Sequence, residues 1–357
     1  GTFLHTPKLG TLEVRPEAYL ISQGETIVGL YDTLPPEYAG QPVEDWGDAL
    51  IIPAFTDLHI HAPQIINRGI GYDKELLPWL ETYTFPAEAR FADPAFSDRA
   101  WKAFLNHLWA VGTLRFAAFA TIHKDAAWRL MELSEASGLR GLIGKVNMDR
   151  NSPDDLREDT DASLADTEEL ICRSREELRR TGFILTPRFV PSTTARLMDG
   201  LGQLGEKYDL PIQSHLSENP SEVAWVAQLH PDIPTYTQVY EHFGLLRQDK
   251  TIMAEFEMLE QELRCCVASD VAGGHTANVS RSVTATVQAS KLNWLNHPDQ
   301  APLSLTEAFY LANRGAGSFF GQVGAFLPGL AFDGLVLRNI AARYCAGALI
   351  PQPFPQI

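Results

Sequence analysis

Cysteine and positive charge are both scarce in this chain. The four cysteines among its 357 residues, Cys172, Cys265, Cys266 and Cys345, include no Cys-x-x-Cys pair. Such a set supplies neither a disulfide framework nor a thiolate metal cluster, so they read as reduced, buried packing residues of a cytoplasmic protein. Lys and Arg number 29 against 45 Asp and Glu, a formal net charge of -16. That balance argues against nucleic acid as a general partner, because neutralising phosphates takes clustered cations. A small neutral base stays compatible with it. Apolar runs are short and broken by Gly, Pro or charge, so none approaches the ~20 residues of a membrane-spanning helix. The first residues, Gly-Thr-Phe-Leu-His-Thr-Pro-Lys, show no basic stretch leading into an apolar one, and no secretory signal is expected.

Hydrophobic residues at 45% and charged residues at 21% leave an ordinary globular protein. The length suits one large α/β barrel with a small attached sheet domain. Residues 1–52 alternate short strand-like runs (Thr11 to Val14, Tyr19 to Ile21, Thr26 to Leu30) with Gly and Pro turns, the N-terminal part of a small β-sandwich. From Pro53 to residue 323 buried strands alternate with amphipathic helices, the mark of parallel βαβ units and of a (β/α)8 TIM-like barrel. Expected strands are Ala54 to His61, Thr113 to His123, Gly141 to Asp149, Phe183 to Pro191, Ile212 to Glu218, Thr251 to Ala254 and Leu263 to Asp270. Expected helices include Pro94 to Val111, Ala126 to Ser137, Ala162 to Arg180 and Thr194 to Tyr208. Residues 324–357 return to short apolar runs and are expected to complete the small β-sandwich.

The strand count falls short by one. Between Ala254 and Arg264 there is room only for a short helix, Glu255 to Leu263. A complete barrel needs another strand and two crossovers there, and each βαβ unit takes ~30 residues. The barrel is therefore incomplete in this sequence, and the run Leu337 to Arg343 reads as a second such junction. A barrel lacking one strand would expose two long hydrophobic parallel edges. Omission of residues from the sequence accounts for this better than a true deletion.

The segment Phe55-Thr-Asp-Leu-His59-Ile-His61-Ala-Pro-Gln64 carries the most chemical information. An apolar run feeds into it, so it reads as the end of a buried strand, with His59 and His61 on one face. Two imidazoles there make half a site for a borderline metal such as zinc. His215, in Gln-Ser-His215-Leu-Ser-Glu218, and Asp270, in Ser-Asp270-Val-Ala-Gly-Gly, also stand at strand ends and complete a candidate set. Three imidazoles and a carboxylate leave a position for water, whose pKa the metal would lower. Glu218 is placed to carry protons, or else to cap the helix that follows. Lys145 raises the question of a second metal, but Thr186, Pro187 and Arg188 offer no further ligand. One metal is expected, with Lys145 solvated or ion-paired.

In the order of these motifs, Asp57 to His61, Gln213 to Glu218 and Ser269-Asp270, the chain resembles the amidohydrolase superfamily of metal-dependent barrel hydrolases. Within it the chain is similar to the guanine deaminases. The narrower signals are His61 to Gln64, Trp79 to Glu88 (Trp-Leu-Glu-Thr-Tyr-Thr-Phe-Pro-Ala-Glu), Phe119 to His123, Gly144 to Asp149, Thr186-Pro-Arg-Phe189 and Ser269 to Gly274. The resemblance implies one zinc per chain on His59, His61, His215 and Asp270. It further implies proton transfer by Asp270 and Glu218, and a purine held by Gln64, Arg188 and Phe189. Guanine would be converted to xanthine and ammonia by a cytoplasmic homodimer. The family places a histidine after a Met-Ala pair on the sixth strand, where this chain has Met253-Ala254-Glu255, and its His-Cys-Pro-type seventh-strand segment is also absent. Two alternatives stay open: another aminated heterocycle as substrate (cytosine, an oxidised purine, a triazine), or a catalytically silent barrel serving as a binding module.

Overall fold

The computed structural model describes residues 1–254 and 265–338. The expected helix Glu255 to Leu263, the start of the strand expected from Leu263, most of the Leu337 to Arg343 junction, Cys345 and the end of the chain lie outside the described residues. Two compact units are found, one from Gly1–Thr56 with residues from Val279 onward, the other Asp57–Asn278.

In the first unit a sheet runs in the order Gly334–Leu337, Leu50–Pro53, Thr2–Lys8, Thr11–Arg15. Leu50–Pro53 pairs parallel with Thr2–Lys8 and antiparallel with Gly334–Leu337. A separate hairpin joins Tyr19–Gln23 to Thr26–Tyr31, and its turn needs Gly24, whose φ is +61°. Phe3, Ile27, Ile51, Phe326 and Leu330 form the core here.

The second unit is built of parallel strands in sequence order. Phe55–His61, Thr113–Phe119, Arg140–Gly144 and Gly182–Phe183 form one sheet. Val146–Asn147 pairs with Thr186–Pro187, a bridge joins Leu185 to Ile212, and Ile212–His215 pairs with Thr251–Ala254. Helices Pro94–Val111, Lys124–Ser137, Thr160–Glu177 and Ala195–Lys207 fill the crossovers, each within a few residues of the expected span. Asp93, Asp159 and Thr194 cap three of them through side-chain oxygens.

The third and fourth expected strands come out broken. The fourth strand shortens to the pieces Gly182–Phe183 and Thr186–Pro187, with the Leu185 N–H between them turned to Pro211 O. Cys265–Asp270 is not a regular strand, yet Asp270 N–H donates to His59 O (2.8 Å) and His61 N–H to Val271 O (2.9 Å). The backbone thus returns to the strand it started from. Cys172 corrects an expectation: it is exposed, and Cys265 and Cys266 are only partly buried, because Cys172 sits on the outer side of helix Thr160–Glu177. No helix among the described residues is long and apolar enough to cross a membrane.

Candidate active site

Strand Phe55–His61 is buried along its whole length and runs into the turn Ala62–Ile66. Its two-residue period sets the rings of His59 and His61 side by side, centroids 5.2 Å apart. Strand Ile212–His215 brings in the third ring. His61 Nε2 and His215 Nε2 are 3.0 Å apart, and ligand atoms of all three histidines lie within 4.8 Å of one another. His59, Glu218 and Asp270 form a second such group. Asp270 Oδ1 stands 3.1 Å from His59 Nε2 and 4.0 Å from His61 Nε2.

The protonation of these rings follows from their surroundings. His215 Nδ1 is 2.6 Å from the Arg188 carbonyl oxygen. A carbonyl only accepts, so Nδ1 carries the proton and Nε2 turns a lone pair toward His61. Burial pushes the pKa of both His61 and His215 well below the ordinary imidazole range; His215, His59 and Arg188 add to it at His61, while at His215 the charge of His59 adds and the hydrogen bond to the Arg188 carbonyl opposes. Both are neutral, the form that ligates a metal. Phe119 stacks on His61 at 4.5 Å and excludes water from that side. Both ring nitrogens of His59 are buried without a hydrogen-bond partner, the approach to Asp270 being outside hydrogen-bonding geometry. Such a ring is costly unless something coordinates it. The donor set fits a divalent ion of the zinc type.

Asp270 is held by backbone rather than by its side chain. Its φ is +46°, in the left-handed region that non-glycine residues seldom adopt. The hydrogen bonds to His59 O and from Gly274 N fix it there. A Cβ on Gly273 would stand 2.5 Å from Asp270 Oδ2, so glycine there leaves the carboxylate the space it occupies. Asp57 ties the two segments together, accepting from the backbone N–H of His59 (3.2 Å) and Ser269 (3.0 Å). Burial pushes its carboxyl up to about 6 against those hydrogen bonds.

A pocket opens beside the histidines, lined by Gln64, Trp79, Arg188, Phe189, Glu218 and Asp270 among others. His61 and His215 also face it, and His59 adjoins through Asp270. All the residues expected at the site therefore come together. Arg188 is not a surface ion pair: it is buried and paired with Glu88. Nor does Glu218 cap the following helix. Asn219 does so, accepting from Ser221 N–H at 2.9 Å. Burial holds the Glu218 carboxyl well above the ordinary carboxylate range, the charges of Asp270 and Glu222 adding and Arg188 opposing. Lys145, expected to be solvated or ion-paired, is fully buried and paired with Glu158.

Sequence reasoning assigned no role to Glu88, Asp57 or Phe119. All three lie inside the quoted motifs, and a buried carboxylate at the end of an aromatic run was the one available signal. It named no partner, because those partners lie 24 and 100 residues away.

The amidohydrolase family profile matches residues 50–256. Guanine deaminase of Dictyostelium discoideum is 32% identical over 94% of this chain and 87% of its own length. The solved guanine deaminase from C. acetobutylicum, with bound guanine in its active site, superposes with a TM-score of 0.92 at 37% identity, covering 98% of this chain and 92% of that one. The E. coli guanine deaminase structure gives 0.83 at 27% identity, covering 96% and 89%.

Proposed function

The chain belongs to the guanine deaminases of the amidohydrolase family, and from that premise we propose that it hydrolyses guanine to xanthine and ammonia with one zinc ion per chain. His59, His61, His215 and Asp270 would hold the ion, which when bound supplies Lewis-acid activation of water at neutral pH. The observation that carries the reading is the meeting of His59, His61 and His215, with Asp270 against His59 and His61, beside a pocket that Gln64, Arg188 and Phe189 also line.

The chain's own groups divide the remaining work. Arg188 donates to the purine carbonyl oxygen, Gln64 addresses the neighbouring ring edge, and Phe189 lies against the ring face. Asp270 accepts a proton from the attacking water as oxygen bonds to the amino-bearing carbon. Glu218, kept protonated by burial, gives a proton to the ring nitrogen and helps the amino group leave as ammonia. Water contributes the oxygen, one proton that stays on the ring nitrogen and one that leaves with the amino group as ammonia, so the reaction needs no oxidant or reductant.

The same reading places the barrel at residues 53–323, with a small β-sandwich from 1–52 and 324–357. The pairing of Gly334–Leu337 with Leu50–Pro53 supports this. A homodimer is expected from the resemblance alone, and a cytoplasmic location also from the lack of a cysteine framework. The test is to mix the purified full-length protein, supplied with zinc, with guanine and follow ammonia release and xanthine absorbance. Absence of turnover in zinc-loaded, folded protein defeats the reading.

A further inference from the structure

Glu88 does not line the pocket, yet it touches two residues that do. It is buried, at 3% exposure. One carboxylate oxygen accepts from Gln64 Nε2 at 2.9 Å and the other from Arg188 Nη1. Gln64 Oε1 in turn accepts from Ala272 N–H at 2.9 Å. A glutamine amide is nearly symmetric in shape, and its orientation is set only by its hydrogen bonds. Here the flipped amide would turn its oxygen toward a carboxylate and its NH₂ toward an N–H donor, losing both bonds. The orientation is therefore locked. Gln64 is left with one free Nε2–H and one free lone pair on Oε1.

The same carboxylate acts on Arg188. An unpaired guanidinium at 3% exposure would be costly, and Glu88 compensates its charge while holding one of its donors. Arg188 itself lines the pocket. Phe85, one turn earlier on the same helix Phe85–Ala89, carries the guanidinium carbon 5.1 Å over its ring. The turn that bears Glu88 thus grips Arg188 from two sides. The pocket presents a rigid pair: a cationic donor and an amide of fixed sense.

Resting on the guanine reading above, we propose that Glu88 is a positioning residue that sets specificity for a lactam edge, a ring carbonyl acceptor beside an N–H donor. With Glu88 in place, an amino group where the carbonyl belongs meets donors only, and such a base is rejected. Without the carboxylate, the Gln64 amide is free to reverse and accommodate the amino-substituted edge.

Steady-state kinetics of the zinc-loaded full-length protein with guanine and with 2,6-diaminopurine test this. Glu88→Gln is expected to raise KM for guanine ~10- to 100-fold with kcat changed by no more than about 3-fold, and to narrow the preference for guanine over diaminopurine. In a Gln64→Ala background the effect of Glu88→Gln should shrink by at least about half on a logarithmic scale, since the two act through one contact. Should Glu88→Gln fail to fold, Glu88→Asp keeps the buried charge beside Arg188 but falls short of Gln64, and its KM should still rise. A folded Glu88→Gln or Glu88→Asp protein with wild-type KM and unchanged preference overturns the inference. Wild-type protein that does not turn over guanine defeats the functional reading instead, so the two failures are distinguishable.

Discussion

His61 and His215 present their Nε2 atoms to each other across 3.0 Å, with ring planes 19° from parallel. The Nδ1 proton of His215 is committed to the Arg188 carbonyl, so its Nε2 offers a lone pair. Two buried neutral imidazoles so placed call for a cation within reach of both, and the unpartnered ring of His59 beside them completes the demand.

Removal of the metal is therefore expected to abolish turnover. Dialysis against a zinc chelator should leave below ~1% of the starting rate, and added zinc should restore it. His215→Ala should retain no stoichiometric zinc by atomic absorption. Full activity in protein shown to be free of metal would sink the ligand assignment.

Glu218→Gln should lower kcat ~10²- to 10⁴-fold, the usual worth of a general acid, with KM little changed. The pH profile has a definite sense. Burial raises the Glu218 carboxyl well above its ordinary value, so the proton it must give is present at neutral pH and is lost as pH rises. In wild type kcat should fall on an alkaline limb, and in the Gln variant that limb should vanish from the residual rate. An identical limb in both proteins would assign the titration elsewhere.

Gly273→Ala tests whether the Asp270 carboxylate is held by space as well as by backbone. The added methyl would fall 2.5 Å from Asp270 Oδ2, and the carboxylate must swing from His59 Nε2. Zinc affinity is expected to drop ~10- to 100-fold, as when a ligand loses its support, while the far-ultraviolet circular dichroism stays unchanged. Wild-type affinity in this variant would show that Asp270 does not need its observed rotamer.

The parts of this molecule that were legible in its sequence are those governed by local periodicity. The pairing of His59 and His61 on one face follows from strand geometry, and helix Pro94–Val111 follows from Asp93 and Pro94 at its start and Gly112, at φ +76°, at its end. Non-local meetings were not legible. Nothing in the spacing of Gln64, Glu88 and Arg188 says that one carboxylate bridges the other two. The stacking of Phe119 on His61 depends on which strand lies beside which. The short fourth strand shows the opposite failure: an apolar run that reads as continuous divides at Ile184-Leu185, where the Leu185 N–H turns to Pro211 O. Cys172 failed for a simpler reason: cysteine is usually buried, and the helix face it occupies is not.

Glu222 offers a stability test independent of catalysis. Fully buried, it accepts from Tyr236 OH at 2.6 Å and from Glu218 N–H at 3.0 Å. Burial raises its carboxyl above the ordinary value of 4.5 in spite of those bonds. The unfolded chain, with an ordinary carboxyl, releases its proton first as pH climbs. The contribution of the protonated native form is thus fully present below that ordinary value and is lost between it and the higher native value. Each unit of separation is worth about 1.4 kcal/mol. Glu222→Gln mimics the protonated form, keeps an oxygen for Tyr236, and has no proton to lose. The variant's stability relative to wild type should accordingly grow from pH 4.5 toward neutrality and then level off, as measured by denaturant unfolding at a series of pH values. A difference that stays constant over that range would mean that Glu222 titrates alike in both states, and that its burial is compensated by its donors alone.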